Sequence, residues 1–372
     1  MLLATSLLAL TLTAAPKGGG CKPEDWKKCK KACTGGSVEA CYALFEYVDE
    51  GRMTPGDIYE TVGFAKKLCD KKQGAGFFLF GKLQRWGSGT PRDAAAAADS
   101  FDNACELGEQ RGCGALGAML MRGEGVEKDE AKGIKSLSSA CDASIQAACL
   151  ELADALLRGK GTPKDPLRAG AIYKRGCLAN SQAACAGLAN CLRDGVGMEK
   201  NPAEGLKLAE KACAAGVGAG CEHLGHAYAT GQGAGADRAK AVGFLEKGCN
   251  AKSGAACLAL ANLFTLNESS LGDKVRAPKL YESACDHGEG IGCYRLAEQK
   301  FSADPRFADP AGAGSFAQRG CELDNMPSCA LYGRMLINGM GIKRNLVLGE
   351  KVLRRACTAK EQMACDQLQT LK

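Results

Sequence analysis

The spacing of the cysteines constrains this chain more than any other feature. Cys33, Cys69, Cys105, Cys141, Cys177, Cys213, Cys249, Cys285, Cys321 and Cys357 follow one another at a fixed interval of 36 residues, without insertion or deletion. Nine of these ten have a second cysteine eight residues later: Cys41, Cys113, Cys149, Cys185, Cys221, Cys257, Cys293, Cys329 and Cys365. Cys69 is the exception, because Phe77 stands at its partner position. A fixed period of this length marks an array of supersecondary units, each too small to bury its own apolar face.

Inside each unit the pattern is helical. Eleven residues after the first cysteine come Leu116, Leu152, Leu188, Leu224 and Leu260, and next to them the small residues Gly117, Ala153, Ala189, Gly225 and Ala261. Together with the second cysteine and Leu120, Leu156 or Leu192 three residues further on, they form an i, i+3, i+4, i+7 stripe. The small position lets a neighbouring helix approach closely. The stripe stops at a Gly-x-Gly turn, as in Gly87/Gly89, Gly123/Gly125, Gly159/Gly161, Gly195/Gly197, Gly231/Gly233 and Gly339/Gly341. Glycine there supplies the left-handed conformation that ends a helix. Asp129, Asp165, Asn201 and Asp237 then fall where the N-cap of a second helix belongs. Each unit therefore reads as an antiparallel helix pair, A then B. The expected fold is all-α, an α-solenoid superhelix of about nine such repeats.

The paired cysteines then sit at the corner between one helix B and the next helix A. Nine local disulfides are predicted, Cys33–Cys41, Cys105–Cys113, Cys141–Cys149, Cys177–Cys185, Cys213–Cys221, Cys249–Cys257, Cys285–Cys293, Cys321–Cys329 and Cys357–Cys365, across turns of seven residues. Eighteen of the 22 cysteines are accounted for in this way. Cys191 falls at a helix-A core position and reads as a buried thiol, Cys69 as free, and Cys21 and Cys29 repeat the eight-residue step. The spacing is not that of a zinc site. His223 and His226, three apart beside Cys221, read as packing residues, so no metal or cofactor is expected. The net charge of +6 is small and dispersed, which gives no support to nucleic-acid binding.

The first residues differ from the array. Leu2–Ala15 is an uncharged apolar run ending in small residues, which reads as a signal peptide over 1–15 although no basic residue precedes it. Residues 16–32 are expected to form a linker and a capping helix, and 33–372 the solenoid, closed by a final helix A within 358–372. Cys21, after three glycines, is the candidate position for a lipid anchor. No further run is long and apolar enough for a transmembrane span. Export to the periplasm, envelope or medium fits the cysteine count, because disulfides persist outside the reducing cytosol.

The run L-[AG]-x-x-[LY]-x-x-G-x-G, then Asp, then Ala-Cys, resembles the Sel1-like repeat, a relative of the tetratricopeptide repeat. With its cysteine pairs the chain resembles the Helicobacter cysteine-rich protein family. The likeness is strongest over 105–248 and 321–365. It weakens at Gly51-Arg52-Met53 and again at Asn267-Glu268-Ser269 and Ala303-Asp304-Pro305, and a bend is expected in the units of the last two.

The resemblance implies a scaffold that binds peptides or partner proteins along its concave helix-A face. It also carries an alternative, a penicillin-binding protein or β-lactamase, but the chain contains no Ser-x-x-Lys, Gly-x-Ser-x-Gly or His-Glu-x-x-His. Any enzyme activity would rest on family analogy alone, and no catalytic residue is assigned. Transferring the tetratricopeptide register places residues 9, 13, 16 and 17 after the first cysteine on the concave face. Lys82, Arg85, Trp86, Arg122, Arg158, Asn190, Arg193, His226 and Asn262 would then line one groove. Arginine forks grip carboxylates and asparagine pairs with peptide amides, so the expected partner is a peptide that is acidic or bears a free carboxylate.

Overall fold

The computed structural model describes residues 26–35, 37, 40, 43–44, 55–265, 271–301 and 309–371. The expected signal peptide, Cys21, Cys41 and the departing turns at 51–53, 267–269 and 303–305 lie outside these residues. Among the described residues all regular structure is α-helical, in 19 helices. They fall into two compact units, residues 1–181 and 182–372. The first contains α1 (Trp26–Thr34), α2 (Pro55–Asp70), α3 (Gly74–Trp86), α4 (Ala94–Glu106), α5 (Gln110–Arg122), α6 (Glu130–Asp142), α7 (Gln146–Arg158) and α8 (Pro166–Leu178). The second contains α9 (Gln182–Asp194), α10 (Pro202–Ala214), α11 (Gly218–Thr230), α12 (Arg238–Asn250), α13 (Gly254–Thr265), α14 (Leu271–Asp286), α15 (Gly290–Lys300), α16 (Pro310–Glu322), α17 (Met326–Asn338), α18 (Leu346–Thr358) and α19 (Gln362–Thr370). Within each unit, consecutive helices pack as A/B pairs in an α-solenoid arrangement.

The helix pair is set by the small position of helix A. A methyl placed on Gly81 would come within 2.7 Å of the Phe101 ring, and one on Gly117 within 2.9 Å of Leu137 Cγ. The same holds for Gly225 against Leu245 Cγ at 2.4 Å and Gly333 against Leu353 Cγ at 2.7 Å. The facing residue always lies 20 positions later, so the contact repeats with the period of the sequence. Where the small residue is alanine, the residue 20 positions later is Tyr173, Ala209, Tyr281 or Ala317, again fully or nearly fully buried.

Helix ends follow the sequence closely. Gly87, Gly123, Gly159, Gly231 and Gly339 end helices A in the left-handed conformation, with φ between 68° and 76°. Asp129, Asp165, Asn201 and Asp237 each accept a backbone N–H as N-caps, and Asp93, Asp309 and Asn345 do the same. The B-to-A corner is tighter than the seven-residue turn expected. Helix B runs one residue past its cysteine, and helix A begins five residues past it. Only three residues lie between, and the middle one has positive φ in every described corner measured, from Lys72 to Lys360. Six of those residues are not glycine, namely Lys72, Ser144, Asn180, Lys252, Asp324 and Lys360.

The cystines span these corners. Cys105–Cys113 and Cys141–Cys149 are bonded in the first unit. Cys213–Cys221, Cys249–Cys257, Cys285–Cys293, Cys321–Cys329 and Cys357–Cys365 are bonded in the second. Cys29, Cys33, Cys177 and Cys185 are also disulfide-bonded. Cys69 and Cys191 are not in disulfides, and Cys191 is buried, as its helix-A position implied. Burial pushes the Cys69 thiol up to about 11, with the neighbouring Asp70 charge adding to the effect.

Two outcomes follow. Gly225→Ala should lower stability by about 1–3 kcal/mol through overpacking against Leu245, read as a fall in the denaturation midpoint. An unchanged midpoint would mean that the helix pair can open freely. Replacing both Cys213 and Cys221 with alanine should cost about 2–3 kcal/mol in the chain-entropy view of a nine-residue closed loop. Urea unfolding of the oxidised proteins, followed by circular dichroism, measures this directly.

Candidate ligand-binding faces

The expected groove residues lie on helices A in both units. In the first unit Lys82, Arg85 and Trp86 project from α3, Arg122 from α5 and Arg158 from α7. Lys82 is largely buried, with its ammonium 5.6 Å from the centre of the Phe78 ring. Trp86 is 59% exposed, and the Arg85 guanidinium lies 5.2 Å from its ring centre. Arg85 also grips Glu124, from the next Gly-x-Gly turn, through Nε at 2.9 Å and Nη2 at 2.5 Å. That two-point bond is the first reason the Glu124 carboxyl lies below its usual range. Arg122 forms an ion pair with Glu151 of α7, and both side chains stay about half open to solvent. Arg158 is exposed, and its charge acts on Asp154 one turn earlier on α7.

In the second unit Asn190 and Arg193 lie on α9, His226 on α11 and Asn262 on α13. Arg193 donates from Nε and Nη2 to the two oxygens of Asp194, at 2.8 and 2.7 Å. Its Nη1 is covered and has no hydrogen-bond partner among the described residues. Asn190 Oδ1 lies 2.9 Å from His223 Nδ1 of α11. His226 faces Glu222 across 3.7 Å, one turn apart on the same helix. Burial raises the Glu222 carboxyl above its usual range, against the pull of Arg193. His226 and Asn262 line a small cavity of about 190 Å³ whose other walls, Ala229, Leu245, Ala259 and Leu263, are apolar. Asn262 Oδ1 accepts from the Tyr281 hydroxyl at 2.9 Å, and Asp154 accepts from the Tyr173 hydroxyl in the equivalent place of an earlier repeat. Those tyrosines fix the direction of the helix-A face from the helix behind it.

Arg85, Arg122 and Arg193 are thus each bonded to a carboxylate, and Asn190 and Asn262 to a histidine and a tyrosine. Glu222 and His223 are among the participants outside the expected set. Glu222 occupies register position 9, so the register could have named it. His223 was read as packing, and at 1% exposure it is packed, but it is also the residue that orients Asn190. The described residues contain no group of three or more His, Cys, Asp and Glu able to hold a metal ion. No described helix is long and apolar enough to cross a membrane.

The family model described as Sel1 repeat matches residues 111–144, 146–181, 182–217, 219–253 and 327–360. Among solved structures, a Sel1 repeat protein from Oxalobacter formigenes is 19% identical over 66% of this chain and 96% of its own, with a TM-score of 0.54. A protective antigen of uropathogenic Escherichia coli strains is 20% identical over 92% of this chain and 73% of its own, with a TM-score of 0.47. Cysteine-rich protein B of Helicobacter pylori is 28% identical over 35% of this chain and 97% of its own, with a TM-score of 0.29. No curated protein matches the sequence.

The buried histidine makes a pH prediction. Burial, and next the Arg193 charge, push the His223 imidazole down to about 4 from its ordinary 6.5. Between these values the unfolded chain holds a proton that the folded chain does not, so stability is complete above 6.5 and falls as the pH drops towards 4. His223→Gln should flatten the part of the melting-temperature profile between pH 4 and 6.5. An unaltered profile in the variant would place the acid sensitivity elsewhere.

Proposed function

We propose that this chain, which matches the Sel1 repeat at 111–144, 146–181, 182–217, 219–253 and 327–360, is an exported scaffold that binds acidic or carboxylate-bearing peptides along its helix-A faces. Sel1 repeats support protein–protein interaction in general. The observation that carries the peptide reading is the state of Arg122. Its ion pair with Glu151 links two successive helices A and stays open to water on both sides. An exposed pair of this kind contributes only about 0–1 kcal/mol, so a ligand carboxylate can replace Glu151 at small cost. The neighbouring Arg158 offers a second guanidinium one repeat further along. Arg85 differs, because its two-point bond to Glu124 is less exposed and acts to hold the indole of Trp86 in place.

Export is supported by the cystines. Disulfides at corner after corner persist in oxidising compartments and are rare in the cytosol. The apolar run Leu2–Ala15 is read as the export signal, and Cys21 as the position for a lipid anchor. The partner is thus sought among peptides and proteins of the envelope or the medium.

Arg122→Glu combined with Arg158→Glu should abolish capture of an acidic peptide in a pulldown with purified, oxidised protein, while circular dichroism stays that of the parent. Undiminished capture would remove these two residues from the binding face and with them the reading of this groove.

A further inference from the structure

Three helices A of the second unit, α15, α17 and α19, line a cavity of about 260 Å³ that contains none of the groove residues named above. Phe301, Leu331 and Met363 give it apolar walls, and Glu298, Arg334 and Gln367 give it polar ones. The two charges are in different states. Glu298 is already satisfied, because Oε1 accepts from the Tyr294 hydroxyl at 2.7 Å and Oε2 from Arg295 Nη1 at 3.2 Å. The Arg334 guanidinium rests 5.2 Å from the centre of the Phe301 ring, and no carboxylate lies within ion-pair distance of it among the described residues. Arg334 Nε and Gln367 Oε1 are both covered and lack hydrogen-bond partners among the described residues, which leaves this wall incomplete. The charge available to a ligand is therefore positive, half-buried and fixed in direction by the ring beneath it.

The volume selects the size of the ligand. It falls below the roughly 300–1,000 Å³ of pockets for drug-sized molecules, so it suits one residue rather than a whole compound. We propose that this cavity takes the C-terminal residue of a peptide, its apolar side chain against Phe301, Leu331 and Met363 and its α-carboxylate on Arg334. A guanidinium and a carboxylate form short, charge-assisted hydrogen bonds, and capture of a chain terminus is a recurring mode of peptide recognition. The proposal rests on the reading of helix-A faces as peptide-binding, but uses residues of its own.

Calorimetric titration of the full oxidised chain with the tripeptide Gly-Gly-Leu, its C-terminal amide and free leucine tests it. The free acid should bind at least about tenfold more tightly than either of the others. Arg334→Gln should bring the acid to the level of the amide. Met363→Trp, from an exposed position, should fill the cavity and abolish binding without disturbing the fold. Arg122→Glu with Arg158→Glu should leave tripeptide binding unchanged, which separates this site from the groove. Equal affinity for acid and amide, indifference to Arg334→Gln, or no binding of the tripeptide would overturn the assignment. Free leucine binding as tightly as the tripeptide would overturn the peptide part and make this an amino-acid site.

Discussion

Close contact between the small residue of helix A and the residue 20 places later on helix B governs the remaining geometry. At Gly225 the space is so tight that a single methyl would collide with Leu245, and Gly81, Gly117 and Gly333 repeat the situation. Two helices that approach this closely have little freedom to slide, because interiors are close-packed and tolerate few displaced atoms. The length of the unit is then fixed from inside. An inserted residue between the two positions would move the bulky side chain off the small one. The constant 36-residue period is in this sense the record of a packing contact as much as of the cystines.

That contact also explains which parts of the fold could be read in the sequence. Helices, Gly-x-Gly ends and Asp or Asn caps carry local signals, each residue acting on its own backbone or on an N–H three positions away. The corner gave a weaker signal. It needs a left-handed residue, but Lys72, Ser144, Asn180, Lys252, Asp324 and Lys360 occupy that place, and none announces the conformation as glycine does. The eight-residue cysteine step shows where the corner is, yet not that only three residues leave the helices. Less legible still are contacts of the last turn of helix B with the preceding corner. Arg175 Nη2 lies 3.1 Å from Cys141 Sγ, and Arg355 Nη2 donates to the Cys321 carbonyl at 3.3 Å and to Asp324. These partners are more than 30 residues apart, and only the folded repeat brings them together.

The candidate binding faces show the same division. The register named the arginines but not their partners. Asp194 is adjacent to Arg193 and could have been paired on sight, whereas Glu124 belongs to a turn that the helix-A register does not include. Glu151 lies at position 10, one place beside the register, and joins Arg122 from the next helix A. Counting basic residues therefore overstated the positive field of these faces. The relevant quantity is the charge left after neighbouring carboxylates have bound.

On that measure the arginines separate into two kinds. Arg85, Arg122 and Arg193 each have a carboxylate of the same unit, so an incoming anion must exchange with it and gains only the difference. Where the pair is open to water, as at Arg122, the difference is small and falls further with salt, which suits weak and adaptable contacts along an extended chain. Among the described residues Arg334 has an aromatic ring in place of a carboxylate. The ring orients the guanidinium without neutralising it, and partial burial lowers the screening between it and any anion that arrives. An anion there displaces no partner among the described residues and meets a group already held in direction, so less ordering entropy is lost on binding. Arginines at different register positions of the helix-A array thus stand beside a carboxylate in some repeats and, among the described residues, beside an aromatic ring in another, and on the proposed reading that difference separates a permissive face from a selective pocket.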